Sequence, residues 1–294
     1  MILHFAGLGS MGLGMATSCL RAGLEVHGTD TNPDRVAAPV AGGGMALDAD
    51  SPQADILVSV VLNADQTRNA LFGEGGLAAR LAPDGVIISC ATVAPAFARE
   101  MEAMADVRGL RYLDAPISGG SRKAATGQLS IMAAGTPEAF AAARPGLDAM
   151  AETVFELGDS AGPGSAMKAV NQMLAGVHIA AMAEAMTFGM TQDIAPETFL
   201  EVIRQCAGTS WMLENRAPHV VKGDYTPHSQ VNIWPKDLGI VLDIARDARF
   251  GAPITAAALQ QYLAAAGMGL GPEDDAAVAK VYARNAGLTL PGEA

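Results

Sequence analysis

The sequence predicts an α/β protein, with a doubly wound parallel sheet over residues 1–162 and an all-helical domain over residues 163–294. Three observations predict it. Short apolar runs alternate with helical periodicity to about residue 160. A glycine-rich turn joins the first run to the first helix, and from Gly164 onward no alternating strand pattern recurs. Strands alternating with helices imply parallel pairing with helices packed on the sheet faces.

The elements follow in order. Residues 2–6 form an apolar strand that stops at Gly7, and Ser10–Arg21 carries helical spacing through Met11, Met15 and Cys19 until Gly23 ends it. Leu24–Thr29 is a second strand ending at Asp30, and Asn32-Pro33-Asp34 marks a turn and a helix start. Further strands are predicted at Ile56–Leu62, Val86–Ser89, Leu110–Leu113, Leu129–Ala133 and Val154–Leu157, the last two completing the open sheet. The second half reads as helices at Ser165–Met190, Glu197–Cys206, Met212–Lys222, Pro235–Arg246 and Ile254–Ala266, with a loosely anchored tail after Gly287. The first of these is apolar on nearly every side, so it is expected to run between domains or across a subunit interface of a homodimer or homotetramer.

Composition narrows the function classes. Half of the 294 residues are apolar and 17% are charged, which excludes a disordered chain. Nineteen basic against thirty-one acidic side chains give a net charge of −12, so neither nucleic acid nor an anionic membrane surface is an expected partner. The three cysteines are widely spaced and form no metal-ligand cluster, and the apolar N-terminus lacks the pattern of a secretory leader. A cytoplasmic location and no metal site are expected.

Gly7-Leu8-Gly9-Ser10-Met11-Gly12 is a G-x-G-x-x-G placed between a strand and a helix. In that context the first glycine serves the tight turn, the second admits a pyrophosphate to the backbone, and the third lets helix and strand approach. Asp30, 23 residues beyond Gly7, supplies a carboxylate for a ribose hydroxyl and would repel a 2′-phosphate. With Arg35 the nearest following cation, NAD is favoured over NADP. The alternative is an ordinary tight turn followed by a turn aspartate.

Two later blocks carry chemistry. Asp114-Ala115-Pro116-Ile117-Ser118-Gly119-Gly120 can expose consecutive N–H groups beside a hydroxyl, a nest for a carboxylate, or can be a glycine-rich connection. Gly162-Pro163-Gly164 leads into Lys168, Asn171 and Gln172, which share one helix face; Lys168 is either a functional amine or a lysine snorkelling from a helix end.

Taken together with Lys236-Asp237-Leu238, these blocks resemble, in order and over nearly the whole chain, the β-hydroxyacid dehydrogenase family, which includes 3-hydroxyisobutyrate dehydrogenases. Ser121–Ala125, Ala175–Ala181 and Lys236–Val241 are most similar to its L-threonate dehydrogenase branch. The resemblance implies a Rossmann-type nucleotide domain and a catalytic Lys168. It places Ser118, Gly119, Gly120 and Asn171, with Gln172 beside them, at a small hydroxy-acid substrate, and Leu62, Thr92 and Lys236 along the cofactor. Leu62-Asn63 and Ala91-Thr92 depart from the family's usual Leu-Pro and Ser-Thr. Asn171 stands where 6-phosphogluconate dehydrogenases carry histidine, and Lys168 is what imine reductases usually lack.

The implied reaction moves a hydride from a carbinol carbon while the hydroxyl proton passes to Lys168. Burial, the cationic nicotinamide and a second ammonium such as Lys236 would each favour the neutral amine. A reductase of tartronate semialdehyde or a similar aldehyde is the alternative within the class, and a non-catalytic NAD(H)-binding regulator the alternative outside it.

Overall fold

The computed structural model describes residues 1–37 and 42–293, which form two compact units, Met1–Lys168 and Ala169–Ala294. In the first unit β1 (Ile2–Ala6) is followed by α1 (Ser10–Arg21), β2 (Glu25–Thr29), the short β3 (Met45–Ala46) and β4 (Ala54–Ser59). Then come α2 (Ala64–Phe72), β5 (Leu81–Ser89), α3 (Pro95–Asp106) and β6 (Arg111–Asp114). These strands make one six-stranded sheet in the order β3-β2-β1-β4-β5-β6, and every neighbouring pair is parallel. The order reverses between β1 and β4, the switch point where doubly wound sheets bind ligands beyond the carboxyl ends of their strands.

Both faces of that sheet are buried, which is why its strands read as apolar runs and not as alternations. Leu3, Phe5, Ile56, Val58, Val86 and Ile88 pack one face against Met15, Cys19 and Leu147, whereas Leu57, Ile87 and Tyr112 pack the other against Leu71, Ala98 and Met101. Two histidines interrupt this pattern. His4 and His27 face each other in register on β1 and β2, both buried, with ring centroids 5.7 Å apart.

The expectation that strands near 129–133 and 154–157 would complete the open sheet is overturned. β7 (Ile117–Ser118), β8 (Leu129–Ala133) and β9 (Ala151–Glu156) form a separate three-stranded sheet, with α4 (Gly120–Thr126) and α5 (Pro137–Met150) between them. Pro116, which has no N–H to donate, follows β6, and β7 then runs antiparallel to β8. An isolated bridge between Asp114 and Ala134 links the two sheets. Periodicity identifies a strand; it does not name the strand's neighbour. The turn expected at Asn32-Pro33-Asp34 opens a short 3-10 helix, Pro33–Arg35, capped by the Asn32 side chain; residues 38–41 lie outside the described residues.

The second unit is helical. After α6 (Pro163–Met190), which starts in the first unit, come α7 (Pro196–Ile203), α8 (Trp211–Lys222), α9 (Ile233–Asp247), α10 (Pro253–Gly267) and α11 (Ala279–Ala286). α6 is long and apolar enough, by length and composition, to cross a bilayer. Its Ile179, Met182 and Met186 instead pack with Leu238, Tyr262 and Val278 in the core of this unit. The tail is anchored, contrary to expectation: Leu290 is buried, and Gly223 lies too close to Pro291 and Gly292 for any side chain at that position.

Candidate active site

The glycine turn follows β1 directly. Gly7 has φ +94°, and a Cβ there would stand 2.3 Å from the Val60 carbonyl oxygen; a Cβ on Gly12 would stand 2.0 Å from that of Gly7. These two glycines are demanded by the backbone itself. Gly9 is different, because a Cβ there would meet only the Arg35 guanidinium, 3.8 Å away. The space over Gly9 is open, which fits the approach of a pyrophosphate to the N-terminus of α1.

Asp30 follows the last residue of β2. Its Oδ2 accepts a 2.7 Å hydrogen bond from Leu8 N–H and its Oδ1 a 2.8 Å bond from Asn32 N–H, so the acid is tied to the glycine turn. Arg35, discounted on sequence distance, is brought to 3.6 Å from Oδ1 by the intervening 3-10 turn. Leu62 and Thr92 lie three residues beyond β4 and β5. The carboxyl edge of one parallel sheet thus gathers Gly7–Gly12, Asp30, Leu62 and Thr92. Asn63 accounts for the departure from Leu-Pro: its side chain caps α2 through Gln66 N–H, while the Gln66 side-chain oxygen accepts from Leu62 N–H.

A second group forms around Lys168. The Nζ donates a 2.9 Å hydrogen bond to the carbonyl of Ile117, immediately before Ser118, Gly119 and Gly120, and the side chain is buried. The snorkelling alternative is therefore excluded. Gly119 and Gly120 both have positive φ, at +132° and +73°, where the chain enters α4.

What holds Lys168 there is a device that sequence reasoning missed. Asp114, ending β6 in the interior, accepts from the N–H groups of Gly162 and Ser165 at 3.0 and 2.8 Å and from the Ser165 hydroxyl at 2.6 Å. Burial pushes its pKa up, and these hydrogen bonds pull it back. The carboxylate thus satisfies the orphan N–H groups at the start of α6 from across the fold. Gly164 is required for the same closeness, since a Cβ would stand 2.4 Å from the Asp114 carbonyl oxygen. An acid ending an apolar strand and a later Gly-Pro-Gly were the available signals.

A third group lies within the helical unit. The Asn171 carboxamide donates to Gln172 Oε1 at 2.9 Å, Gln172 Nε2 donates to Asp237 Oδ2 at 2.5 Å, and Lys236 Nζ pairs with Asp237 Oδ1 at 2.5 Å. Trp234 is core: its indole N–H donates a 2.9 Å hydrogen bond to buried Asp275. Trp211 is exposed. His178 lines a 370 Å³ cavity with Met182, Phe199 and Leu213. Among the described residues no cluster of His, Cys, Asp or Glu could hold a metal ion.

A family model for the NAD binding domain of 6-phosphogluconate dehydrogenase matches residues 3–158, and one for the NAD-binding region of NADP-dependent 3-hydroxyisobutyrate dehydrogenase matches residues 162–282. The chain belongs to the 3-hydroxyisobutyrate dehydrogenase-like family. This β-hydroxyacid dehydrogenase is 45% identical to an L-threonate dehydrogenase of Cupriavidus necator, over 98% of this chain and 97% of that one. It is 43% identical to an L-threonate dehydrogenase of Escherichia coli K12, over 97% and 95%. A solved 3-hydroxyisobutyrate dehydrogenase of Salmonella typhimurium superposes with a TM-score of 0.90 at 44% identity, covering 96% of this chain and 99% of that one. The dehydrogenase is an NAD-binding enzyme, and the glycine turn with its tethered acid is the part of the described structure that fits the dinucleotide.

Proposed function

We propose that this β-hydroxyacid dehydrogenase oxidises the hydroxyl of a short polyhydroxylated acid of the L-threonate type with NAD, and that Lys168 is its general base. One observation carries the reading: a buried amine, oriented by the Ile117 carbonyl, stands beside the Ser118-Gly119-Gly120 segment. Residues 1–162 serve as the dinucleotide domain and 163–294 as the substrate and oligomerisation domain.

Gly7, Leu8, Gly9, Ser10, Met11 and Gly12 would hold the pyrophosphate, Asp30 the adenosine ribose, and Leu62, Thr92 and Lys236 further parts of the cofactor. Bound NAD supplies the hydride acceptor. Ser118, Gly119 and Gly120 fix the substrate carboxylate, which orients the reacting carbon. Asn171 and Gln172 serve the hydroxyl end. A neutral amine has two N–H bonds and one lone pair. Donating an N–H to the Ile117 carbonyl aims Lys168, whose neutral amine takes the hydroxyl proton on its lone pair. In the reverse direction the ammonium returns that proton to the forming alkoxide. The free cysteines fit a cytoplasmic enzyme.

Lys168→Ala should lower kcat for L-threonate by about 10²–10⁴-fold, the usual worth of a positioned acid–base group, with the NADH dissociation constant within about two-fold. In the wild type, oxidation should quicken with rising pH and reduction with falling pH, because the two directions need opposite protonation states of one amine. Unchanged turnover in the variant removes the mechanism.

A further inference from the structure

We infer that Asp237 is a positioning residue that sets the hydrogen-bonding polarity of Asn171 through Gln172, so that Asn171 meets the substrate with a carbonyl oxygen available as acceptor. The inference deepens the function proposed above and rests on Asn171 lying at the substrate.

Donors and acceptors set the direction of each bond. A carboxamide offers an oxygen that accepts and an NH2 that donates, and the two ends are nearly the same shape. An isolated Asn171 could present either. Asp237 removes that freedom at the far end of the chain of bonds. It is 2% exposed, its Oδ1 is paired with the Lys236 ammonium, and an ionised carboxylate can only accept. Gln172, itself buried, must therefore turn its NH2 toward Asp237 Oδ2, at 2.5 Å. Its Oε1 then faces Asn171 and can only accept, so Asn171 must give it an N–H, at 2.9 Å. What is left on Asn171 is Oδ1 and one further N–H. An alcohol hydroxyl, which has a proton to donate, is complementary to that oxygen. The relay has one arrangement, because reversing Gln172 sets its oxygen against the Asp237 carboxylate and its NH2 against that of Asn171, and reversing Asn171 sets oxygen against oxygen, each at a cost in a low-dielectric interior.

Asp237 also touches Lys236, so the test must separate the two routes. Asp237→Asn keeps the shape and frees the direction of the relay, because an asparagine can present either end to Gln172. The double variant Asp237→Asn with Gln172→Glu moves the carboxylate one link along: the introduced glutamate accepts from the introduced asparagine on one side and from Asn171 on the other. That restores the polarity at Asn171 while removing the carboxylate with which Lys236 pairs. Gln172→Leu breaks the relay and keeps the Asp237–Lys236 pair.

The first measurement needs no turnover. In protein labelled with 15N at asparagine side chains, one Asn171 amide hydrogen should be slow to exchange in the wild type, lose that protection in Asp237→Asn and in Gln172→Leu, and recover it in the double variant. The second uses L-threonate and NAD. Asp237→Asn and Gln172→Leu should each lower kcat/KM about ten-fold, the effect of one misdirected hydrogen bond, and the double variant should return to within about three-fold of the wild type. Protection of Asn171 that survives in Asp237→Asn, or a double variant that regains neither protection nor rate, overturns the relay. Failure of the general-base mechanism would show separately, as turnover by Lys168→Ala. Should the wild type oxidise no β-hydroxy acid, the exchange measurement still decides the relay.

Discussion

At the scale of single residues, the contact between Asp30 and Arg35 qualifies cofactor choice. At the proposed ribose site Asp30 alone would repel a 2′-phosphate, yet the Arg35 guanidinium 3.6 Å away is half-exposed and would pair with one. We expect Arg35→Ala to sharpen the preference for NAD over NADP by about five-fold, the worth of one charge-assisted hydrogen bond at an exposed site. Parallel kcat/KM measurements with the two cofactors check this, and an unchanged ratio would show that Arg35 does not reach the ribose. Asp30 was legible in the sequence because its strand ends one residue before it. Arg35 was not, because spacing along a chain does not reveal that a 3-10 turn folds five residues back on themselves. Lys168 was legible as a choice between a functional amine and a snorkelling lysine, and burial removes the second.

At the scale of elements, the pair His4 and His27 joins β1 to β2 where apolar side chains would otherwise pack. Desolvation, helped by the neighbouring His27 and Arg80, lowers the His4 pKa from 6.5 to about 4. The unfolded chain therefore binds a proton between those values and the folded one does not. Stability is at its full value above pH 6.5 and falls as the pH drops toward 4, by about 3 kcal/mol in total at 1.36 kcal/mol per unit. Denaturant titrations of the wild type and His4→Leu across this range should diverge, with the variant losing less stability on acidification; parallel curves would mean the pair does not govern acid sensitivity. The strands were readable from their apolar runs, and α1 and β8 were predicted with the bounds they have. The membership of β8 and β9 in a second sheet was not readable, because one proline and one backbone bridge decide it.

At the scale of the whole molecule, α6 explains why the helical half could be predicted without its purpose being evident. Its core side contains Ile179, Met182 and Met186, while Val170, Leu174 and Phe188 remain exposed at 53%, 53% and 67%. Large apolar side chains repeated along one helix in this way suit a second copy of the chain. Sedimentation should show a dimer or tetramer, and replacing Leu174 and Phe188 by glutamate should shift it toward monomer; a wild type that sediments as a monomer at micromolar concentration would refute this. The sequence pattern announced an apolar rod, but the same composition serves a core helix and an interface, and only burial separates them.

Asp114 roots that rod in the nucleotide fold, and the rod carries Lys168 and then Asn171 one turn apart, about 4.5 Å along the axis at 1.5 Å per residue. The proposed base and the amide proposed to meet the hydroxyl are thus spaced by main-chain hydrogen bonds of one helix and not by the fit of separate parts. Their separation is as rigid as the helix itself, so evolution could reshape everything around the substrate's far end without re-tuning the distance on which proton transfer depends.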